Sequence, residues 1–530
     1  KKKGLVLFFI INSILISTLI ISNYSATSNS TTFWTGYHKI RIFIKESFKT
    51  WNSDGIAICS YNENQKNPQI CSDSAGGAII VWEDLRSGPS HIYAQRINST
   101  GGVEWTTNGT IICTYSSNQD YPDICSDGDG GAIIAWRDDR SVPNDIYAQR
   151  INSSGGLEWN TSGVVICNET GNKDPPKICS DLAGGAIIVW TDYRNGISWD
   201  IYGQRINSDG IVQWTPNGVE VCTANQTQYQ LQICSDNTSG AIIAWEDYRG
   251  IDCDIYAQRI NSSGGIEWAD NGTVICAEND DQTYTQICSD GEGGAIITWQ
   301  DKRLVTVIDI YAQKINSSGV LKWSSTGHSV CQASNNQFFP QLCSDGSGGA
   351  IITWQDFRNG SVYEIYAQRV KSGGGLLWTT NGVAICTAYS NQERPQICSD
   401  GAGGAIITWQ DVRIGINYDI YAQKIDSGGR IENPDGIAIC KGDDDQKDPQ
   451  LCSDDNGGAI ITWEDYRSES HYDIYAQRLI KTTPDKSLDL FILLLASQKP
   501  PSNKFLLPLI IGSTVAIVII LIVIISKKRK

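Results

Sequence analysis

Short apolar segments rich in Ile, Val, Trp and Tyr punctuate most of the chain, each bounded by turns of Gly, Asn, Asp and Ser. No window sustains the three-to-four-residue apolar spacing of an amphipathic helix, so the segments are predicted to be strands. They come in a fixed order. Gly-Gly-Ala-Ile-Ile-x-Trp-x-Asp-x-Arg is followed by an Ile-Tyr-Ala-Gln-Arg-Ile-like segment, as in Asp145–Ile151, then by Asn-Ser-Ser-Gly-Gly and a further tryptophan such as Trp159. A short apolar segment ending in cysteine (Gly163–Cys167) and a polar loop lead to Pro-x-Ile-Cys-Ser-Asp, and the order begins again. The tryptophans of the first segment are Trp82, Trp136, Trp190, Trp245, Trp299, Trp354, Trp409 and Trp463, spaced 54, 54, 55, 54, 55, 55 and 54 residues apart. Four strands per unit, eight times over, predict an all-β, eight-bladed β-propeller of about 54-residue repeats, whose radial repetition protects sheet edges and whose blades bury one another's faces.

Charge narrows the partners. The 530 residues carry 42 basic and 58 acidic side chains, a net of −16. Setting aside the terminal clusters Lys1–Lys3 and Lys527–Lys530 leaves 35 against 58, a body of about −23 that repels phosphate backbones and excludes nucleic acid as a partner. The four histidines, His38, His91, His328 and His471, are scattered and argue against a histidine-ligated metal centre.

The ends predict export. Lys1–Lys3 precede the apolar run Gly4–Ile21, with small residues at Ser25 and Ala26, so residues 1–26 read as a signal peptide or signal anchor. Phe505–Ile525 carries no charge and is long enough to cross a bilayer as a helix. The following Lys527, Lys528, Arg529 and Lys530 place that end in the cytoplasm. The domain reading is thus a lead-in at 27–50, the propeller ectodomain at 51–480, a stalk at 481–504, a transmembrane helix at 505–526 and a basic tail at 527–530. The expected location is the cell membrane, single-pass with an extracellular propeller, or two-pass if the N-terminal segment is retained. Sequons at Asn98, Asn152, Asn261 and Asn316 are glycosylation candidates consistent with export.

Pro395-Gln-Ile-Cys-Ser-Asp-Gly, then Ala405-Ile-Ile-Thr-Trp, then Asp419-Ile-Tyr resembles the Pro-x-Trp-Ser-Pro-Asp-Gly…Asp-Ile-Tyr pattern of TolB-like propeller repeats. The longer Gly-Gly-Ala-Ile-x-x-Trp-x-Asp-x-Arg…Asp-Ile-Tyr-Ala-Gln form resembles repeats of secreted and surface proteins of bacteria and archaea. The resemblance covers about residues 51–480. It implies a propeller and secretion, and it carries no active site. The Ser399-Asp400-Gly401 triplet is similar to part of a sialidase Asp-box, but its spacing to Trp409 is too long for one.

The repeated motif supplies eight aspartates (Asp84, Asp138, Asp192, Asp247, Asp301, Asp356, Asp411, Asp465) and eight arginines (Arg86, Arg140, Arg194, Arg249, Arg303, Arg358, Arg413, Arg467). Carboxylate and guanidinium two residues apart on a strand share a face. Eight equal copies read as one stabilising network per blade, with the eight tryptophans, rather than as an active site. Sixteen of the seventeen cysteines fall in pairs twelve residues apart: Cys59/Cys71, Cys113/Cys125, Cys167/Cys179, Cys222/Cys234, Cys276/Cys288, Cys331/Cys343, Cys386/Cys398 and Cys440/Cys452. In an exported chain this predicts one disulfide per repeat, provided the two segments are neighbours. If they are the outermost strand of one blade and the innermost of the next, the sulfurs are too far apart. Cys253 is left over.

Strand alternation puts the inter-cysteine loops and the loops after Trp-x-Asp-x-Arg on one rim, and the Ser-Asp-x-x-Gly-Gly and Asn-Ser-Ser-Gly turns on the other. The first rim varies between copies and is where recognition is built on a rigid scaffold. Both ends of the array emerge on the constant rim. The function expected is therefore a non-catalytic, membrane-anchored binding or adhesion module for an extracellular glycan or protein. No catalytic constellation stands out, so the chain is not expected to be an enzyme and no cofactor is expected. Calcium at Asp443, Asp444 and Asp445 is the weak exception. The alternatives are an extracellular propeller hydrolase or lyase, with Asp280, Asp281, Asp443, Asp444 and Asp445 at the rim, or a structural surface-layer component.

Overall fold

A computed structural model describes residues 30–35, 38–43, 48–304, 306–481 and 491–493. It divides into two compact units, Phe48–Lys481 and the two flanking segments. In the flanking unit Ser30–Thr35 pairs antiparallel with His38–Phe43, which also pairs with Phe491–Leu493. The signal segment 1–26, the membrane span 505–526 and the tail 527–530 lie outside the described residues. Among the described residues no helix is long and apolar enough to cross a membrane.

Residues 48–481 form the eight-bladed propeller, every blade a four-stranded antiparallel meander. Blade 1 runs Gln65–Ser72, Ala78–Asp84, His91–Ile97 and Thr110–Ile111 from the axis outward. Blades 2 to 7 repeat it. Blade 8 takes its first three strands, Gln446–Ser453, Ala459–Asp465 and Asp473–Lys481, from the end of the array and its fourth, Ile56–Cys59, from the beginning. The ring is closed by hydrogen bonds between the two ends of the array, and the lead-in Phe48–Lys49 adds to the edge of the last long strand.

The second strand explains why the motif is so uniform. Its residues are buried on both faces because each lies between two neighbouring blades, so an unbroken Ala-Ile-Ile-x-Trp run replaces the in-out alternation of a half-exposed strand. One apolar cluster fills each blade-to-blade interface; that between blades 4 and 5 joins Ile242, Ala244 and Ile255 to Ile297, Trp299 and Tyr311. In seven blades the buried tryptophan stacks on the tyrosine directly across the ladder, as Trp299 does on Tyr311 at 6.4 Å. The glycine opening the fourth strand is required by that ring. Gly327 has φ +81°, and a Cβ there would lie 2.7 Å from Trp299.

Candidate functional site at the channel mouth

The repeated Asp and Arg residues form one inter-blade knot each. In blade 5, Trp299 Nε1 donates to Asp301 Oδ2 at 2.8 Å. Arg303 donates to both oxygens of the same carboxylate, at 2.7 and 2.6 Å. The guanidinium also reaches Cys276 Sγ, at 3.3 Å on the outermost strand of blade 4, and the carbonyl of Thr326, at 2.8 Å. It lies over the Tyr311 ring, 3.9 Å from its centroid. The Arg–Asp and Arg–cysteine contacts recur in all eight blades, from Arg86–Asp84–Cys59 to Arg467–Asp465–Cys440. Eight carboxylates are thus spent on eight arginines, six of them bidentate; the Nε of Arg194 and Arg413 makes no hydrogen bond.

The disulfide expectation is corrected. All seventeen cysteines are free. Cys59 ends the outermost strand of blade 8 and Cys71 lies on the innermost strand of blade 1, and the other pairs are arranged alike. Three strand spacings of about 4.8 Å separate those radii. A disulfide spans at most about 7 Å between Cα atoms. The outer cysteines belong to the arginine knots; burial pushes thiols such as Cys276 up to about 12. The inner ones pack between blades near the axis, where the sheets converge and small side chains fit, as Cys71 does against Ile124 of blade 2. Cys253 is buried with its thiol 3.9 Å from Glu246 Oε2.

Asn98, Asn152, Asn261 and Asn316 sit in the turns of the constant rim, their Oδ1 atoms accepting the turn's backbone N–H groups. Asp445 pairs with Lys447 at 2.7 Å and caps the N–H of Tyr418, and the carbonyls of Asp443 and Asp444 accept from Gln446. Among the described residues no group of three or more His, Cys, Asp or Glu side chains is placed to hold a metal ion. Asp280 and Asp281 are likewise tied locally, to Asp252 and Lys302.

The feature that distinguishes one blade from another lies at the axial end of the variable rim. There the innermost strand carries a bulge, such as that between Thr283 and Gln286. Its outermost residue takes a left-handed backbone in seven blades: Asn67, Tyr121, Gln230, Tyr284, Phe339, Arg394 and Asp448, at φ of 50–55°. Blade 3 has Pro175-Pro176 instead and its innermost strand shrinks to Lys177–Ser180. In six blades the exposed N–H of the bulge donates to the residue between Trp and Asp of the preceding blade's motif. That acceptor is Gln300, Gln355 or Gln410 for Phe339, Arg394 and Asp448. For Asn67, Tyr121 and Tyr284 it is Glu464, Glu83 and Glu246, at 2.7, 2.6 and 2.6 Å.

These three glutamates are buried, and burial, opposed by the bulge N–H, raises all three carboxyls, Glu464 and Glu246 to about 7. Glu464 and Glu83 belong to adjacent blades and share one residue: Asn67 gives its backbone N–H to Glu464 and its side-chain amide to Glu83. The charges of Asp448 and Glu83 push Glu464 further up, and Lys66 draws it down. Around this pair, Asp120 is held by Arg137 at 2.8 Å, Arg394 pairs with Asp448, and Tyr121 is 45 % exposed beneath the Arg137 guanidinium. On other blades Tyr284 and Phe339 meet edge to face at 4.9 Å. The mouth therefore holds one carboxyl pair, flanked by cations and open aromatic rings, that the eightfold repeat does not reproduce.

No protein-family model matches the chain. No curated protein matches it either. Among solved structures it is similar to a polysaccharide lyase, an ulvan lyase bound to a GlcA(1-4)Rha3S unit, at 11 % identity over 74 % of this chain and 97 % of that one, TM-score 0.44. A protein of unknown function from Dyadobacter fermentans matches at 8 % identity over 82 % and 99 %, TM-score 0.40. An α-L-arabinofuranosidase from Fusarium graminearum matches at 11 % identity over 61 % and 98 %, TM-score 0.32. The TolB-like resemblance thus reduces to the eight-bladed propeller itself. The expectation that no catalytic constellation is present, and with it the non-enzyme reading, is corrected by the carboxyl pair at the mouth, Glu464 and Glu83, which the eight equal repeats conceal. At these identities the likeness assigns no activity to this chain.

Proposed function

We propose that the chain is an extracellular glycoside hydrolase whose active site is the channel mouth, with Glu464 as proton donor and Glu83 as the partner carboxylate. One observation carries the reading. On three blades a glutamine accepts the bulge N–H, so the fold does not need a carboxyl there, yet three others bury one at the cost of desolvation. Cleavage of a glycosidic bond requires two carboxyl groups, one protonated near neutral pH to donate to the leaving oxygen and one ionised on the other side of the sugar. Glu464 and Glu83, unequal in environment and one asparagine apart, meet that demand. Tyr121 offers a ring for a sugar face beside them. Export and a membrane anchor, as the ends of the sequence suggest, would present this rim to polymers outside the cell.

The same three glutamines provide the test, because Glu→Gln reproduces what the fold already tolerates. The protein is incubated with a panel of neutral and acidic polysaccharides, scoring new reducing ends for hydrolysis and unsaturated ends for elimination. Glu464→Gln and Glu83→Gln are expected to lower turnover by about 100-fold or more, with unfolding temperatures unchanged, and Glu246→Gln to leave it near wild type. Cleavage that survives both variants, unsaturated ends as the product, or no cleavage across the panel would each overturn the assignment.

A further inference from the structure

At every blade junction on the variable rim two buried residues face one another. The innermost strand begins with a fully buried glutamine, Gln65, Gln119, Gln228, Gln282, Gln337, Gln392 or Gln446, replaced by Lys173 in blade 3. Opposite it stands the first residue of the third strand of the preceding blade. The backbone brings them together: each glutamine N–H donates to the carbonyl of the residue just before that position, as Gln337 does to Ile308 at 2.8 Å and Gln392 to Tyr363 at 2.9 Å. The amide orientation is fixed, because Nε2 donates to carbonyls of its own loop, as Gln282 does to Asp280 at 2.6 Å. Oε1 must therefore point the other way. In Gln65, Gln228, Gln282, Gln337, Gln392 and Gln446 this oxygen is buried and accepts nothing.

By the register that sets His91 Nδ1 2.7 Å from Gln119 Oε1, the position opposite these six oxygens carries a carboxyl: Asp473, Asp200, Asp254, Asp309, Glu364 and Asp419 in the same order. Asp309 Oδ2 is itself buried without a donor. Two acceptors face each other with no hydrogen between them, an arrangement that costs free energy wherever it is left unfilled. The other two junctions supply what is missing from the chain itself. Between blades 1 and 2 the acid is replaced by His91, whose Nδ1 lies 2.7 Å from Gln119 Oε1; an amide oxygen only accepts, so the ring donates. Between blades 2 and 3 the glutamine is replaced by Lys173, whose ammonium donates to the carbonyls of Glu169 and Gly171 and lies 3.9 Å from Asp145. A donor enters from the acid's side in one case and a positive charge from the glutamine's side in the other.

We propose that the six remaining junctions are proton-binding sites, each carboxyl taking one proton from solvent and donating it to the glutamine Oε1 it faces. Burial acts in the same direction: it pushes Asp200, Asp254, Asp309, Asp419 and Asp473 up to about 6 and raises Glu364. The charges facing each acid do not supply the donor. Every one faces the aspartate of its own blade's knot, and all but Asp200 also feel the arginine, as Asp309 does Asp301 and Arg303. Beyond these, Glu220 faces Asp200, whose two oxygens also accept from Asn195 and Ser198, Asp252 faces Asp254, Gln332 faces Asp309, Asn359 faces Glu364, and Lys441 and Asp54 face Asp419. Only Asp473 has a titrating imidazole beside it, His471 Nε2 at 3.3 Å, and its Oδ1 still accepts no hydrogen bond. Each junction ties an inter-cysteine loop to the loop after Trp-x-Asp-x-Arg, so proton uptake tightens the variable rim all round the mouth. The folded state then binds more protons than the unfolded one between the ordinary aspartate value of 3.8 and about 6, and stability falls as pH rises through that window.

The test is thermal unfolding of the full chain between about pH 4.5 and 8, for wild type, Asp309→Asn and a variant with all six acids amidated, alongside the infrared band of neutral carboxyl groups. An amide side chain gives the facing oxygen its donor at every pH. Amidation is therefore expected to raise the unfolding temperature at pH 8 and to flatten its pH dependence, slightly in the single variant and strongly in the sixfold one. The neutral-carboxyl band at pH 5 should weaken in step. If the sixfold variant fails to fold, the band in Asp309→Asn and Asp419→Asn decides alone. A band unchanged by these substitutions overturns the proposal. So does a wild-type unfolding temperature at pH 8 that falls with a chelator and is insensitive to it in the amidated variants, since the gap would then hold a metal cation.

Discussion

Glu83, Glu246 and Glu464 occupy a place that Gln300, Gln355 and Gln410 fill on other blades, and the difference is one ionisable oxygen. With Glu464, raised to about 7, proposed as the acid and Glu83 as the ionised partner, turnover should fall as pH rises past that value and fall again in acid, where Glu83 takes up a proton. A pH–rate profile checks this; a rate that climbs steadily above pH 7 would show that Glu464 works ionised. At this scale the sequence was legible where the repeat is constant. Trp, Asp and Arg at fixed spacing announced a network, and Asp301, Trp299 and Arg303 form it. The glutamates stood one residue from those aspartates, but the motif treats their position as free. Its restriction to Glu or Gln in six blades was the signal, and the rim aspartates Asp280, Asp281 and Asp443–Asp445 drew attention in its place. The acid–glutamine junctions were equally hidden, since nothing in one strand says which residue of the next blade it will face.

Among the elements, the second strand of each blade could be read directly, because burial on both faces leaves an unmistakable apolar run. The cysteines misled for a structural reason. A constant separation of twelve suggests a covalent loop, yet here it measures the crossover from the outer edge of one blade to the inner edge of the next. The outer position is buried in every copy by the arginine knot, and the inner one is buried or half-buried at the crowded axis. Thiol titration in denaturant without reductant should therefore return all seventeen groups, and reductant should leave the unfolding temperature unmoved. Recovery of a single thiol would restore the bridged reading. The bulge could not be foreseen, since Asn67, Tyr121, Tyr284, Phe339, Arg394 and Asp448 share a left-handed backbone and almost no chemistry.

For the whole molecule, the count of eight follows from the tryptophan spacing, and the ring closure from the strand Ile56–Cys59, which joins blade 8 across more than four hundred residues of sequence. That closure completes blade 8 with its fourth strand, like the other seven. It also makes blades 8 and 1 neighbours, which is how Glu464 and Glu83, far apart in the chain, come to share Asn67. This junction is the proposed place where a polysaccharide is cut. The most direct measurement is a crystal structure of Glu464→Gln soaked with the oligosaccharide released from the best substrate of the panel. A sugar chain is expected across the channel mouth, with a glycosidic oxygen within hydrogen-bond reach of residue 464 and a sugar face on Tyr121. A chain bound on the constant rim, or at the mouth but away from blades 8 and 1, would contradict it.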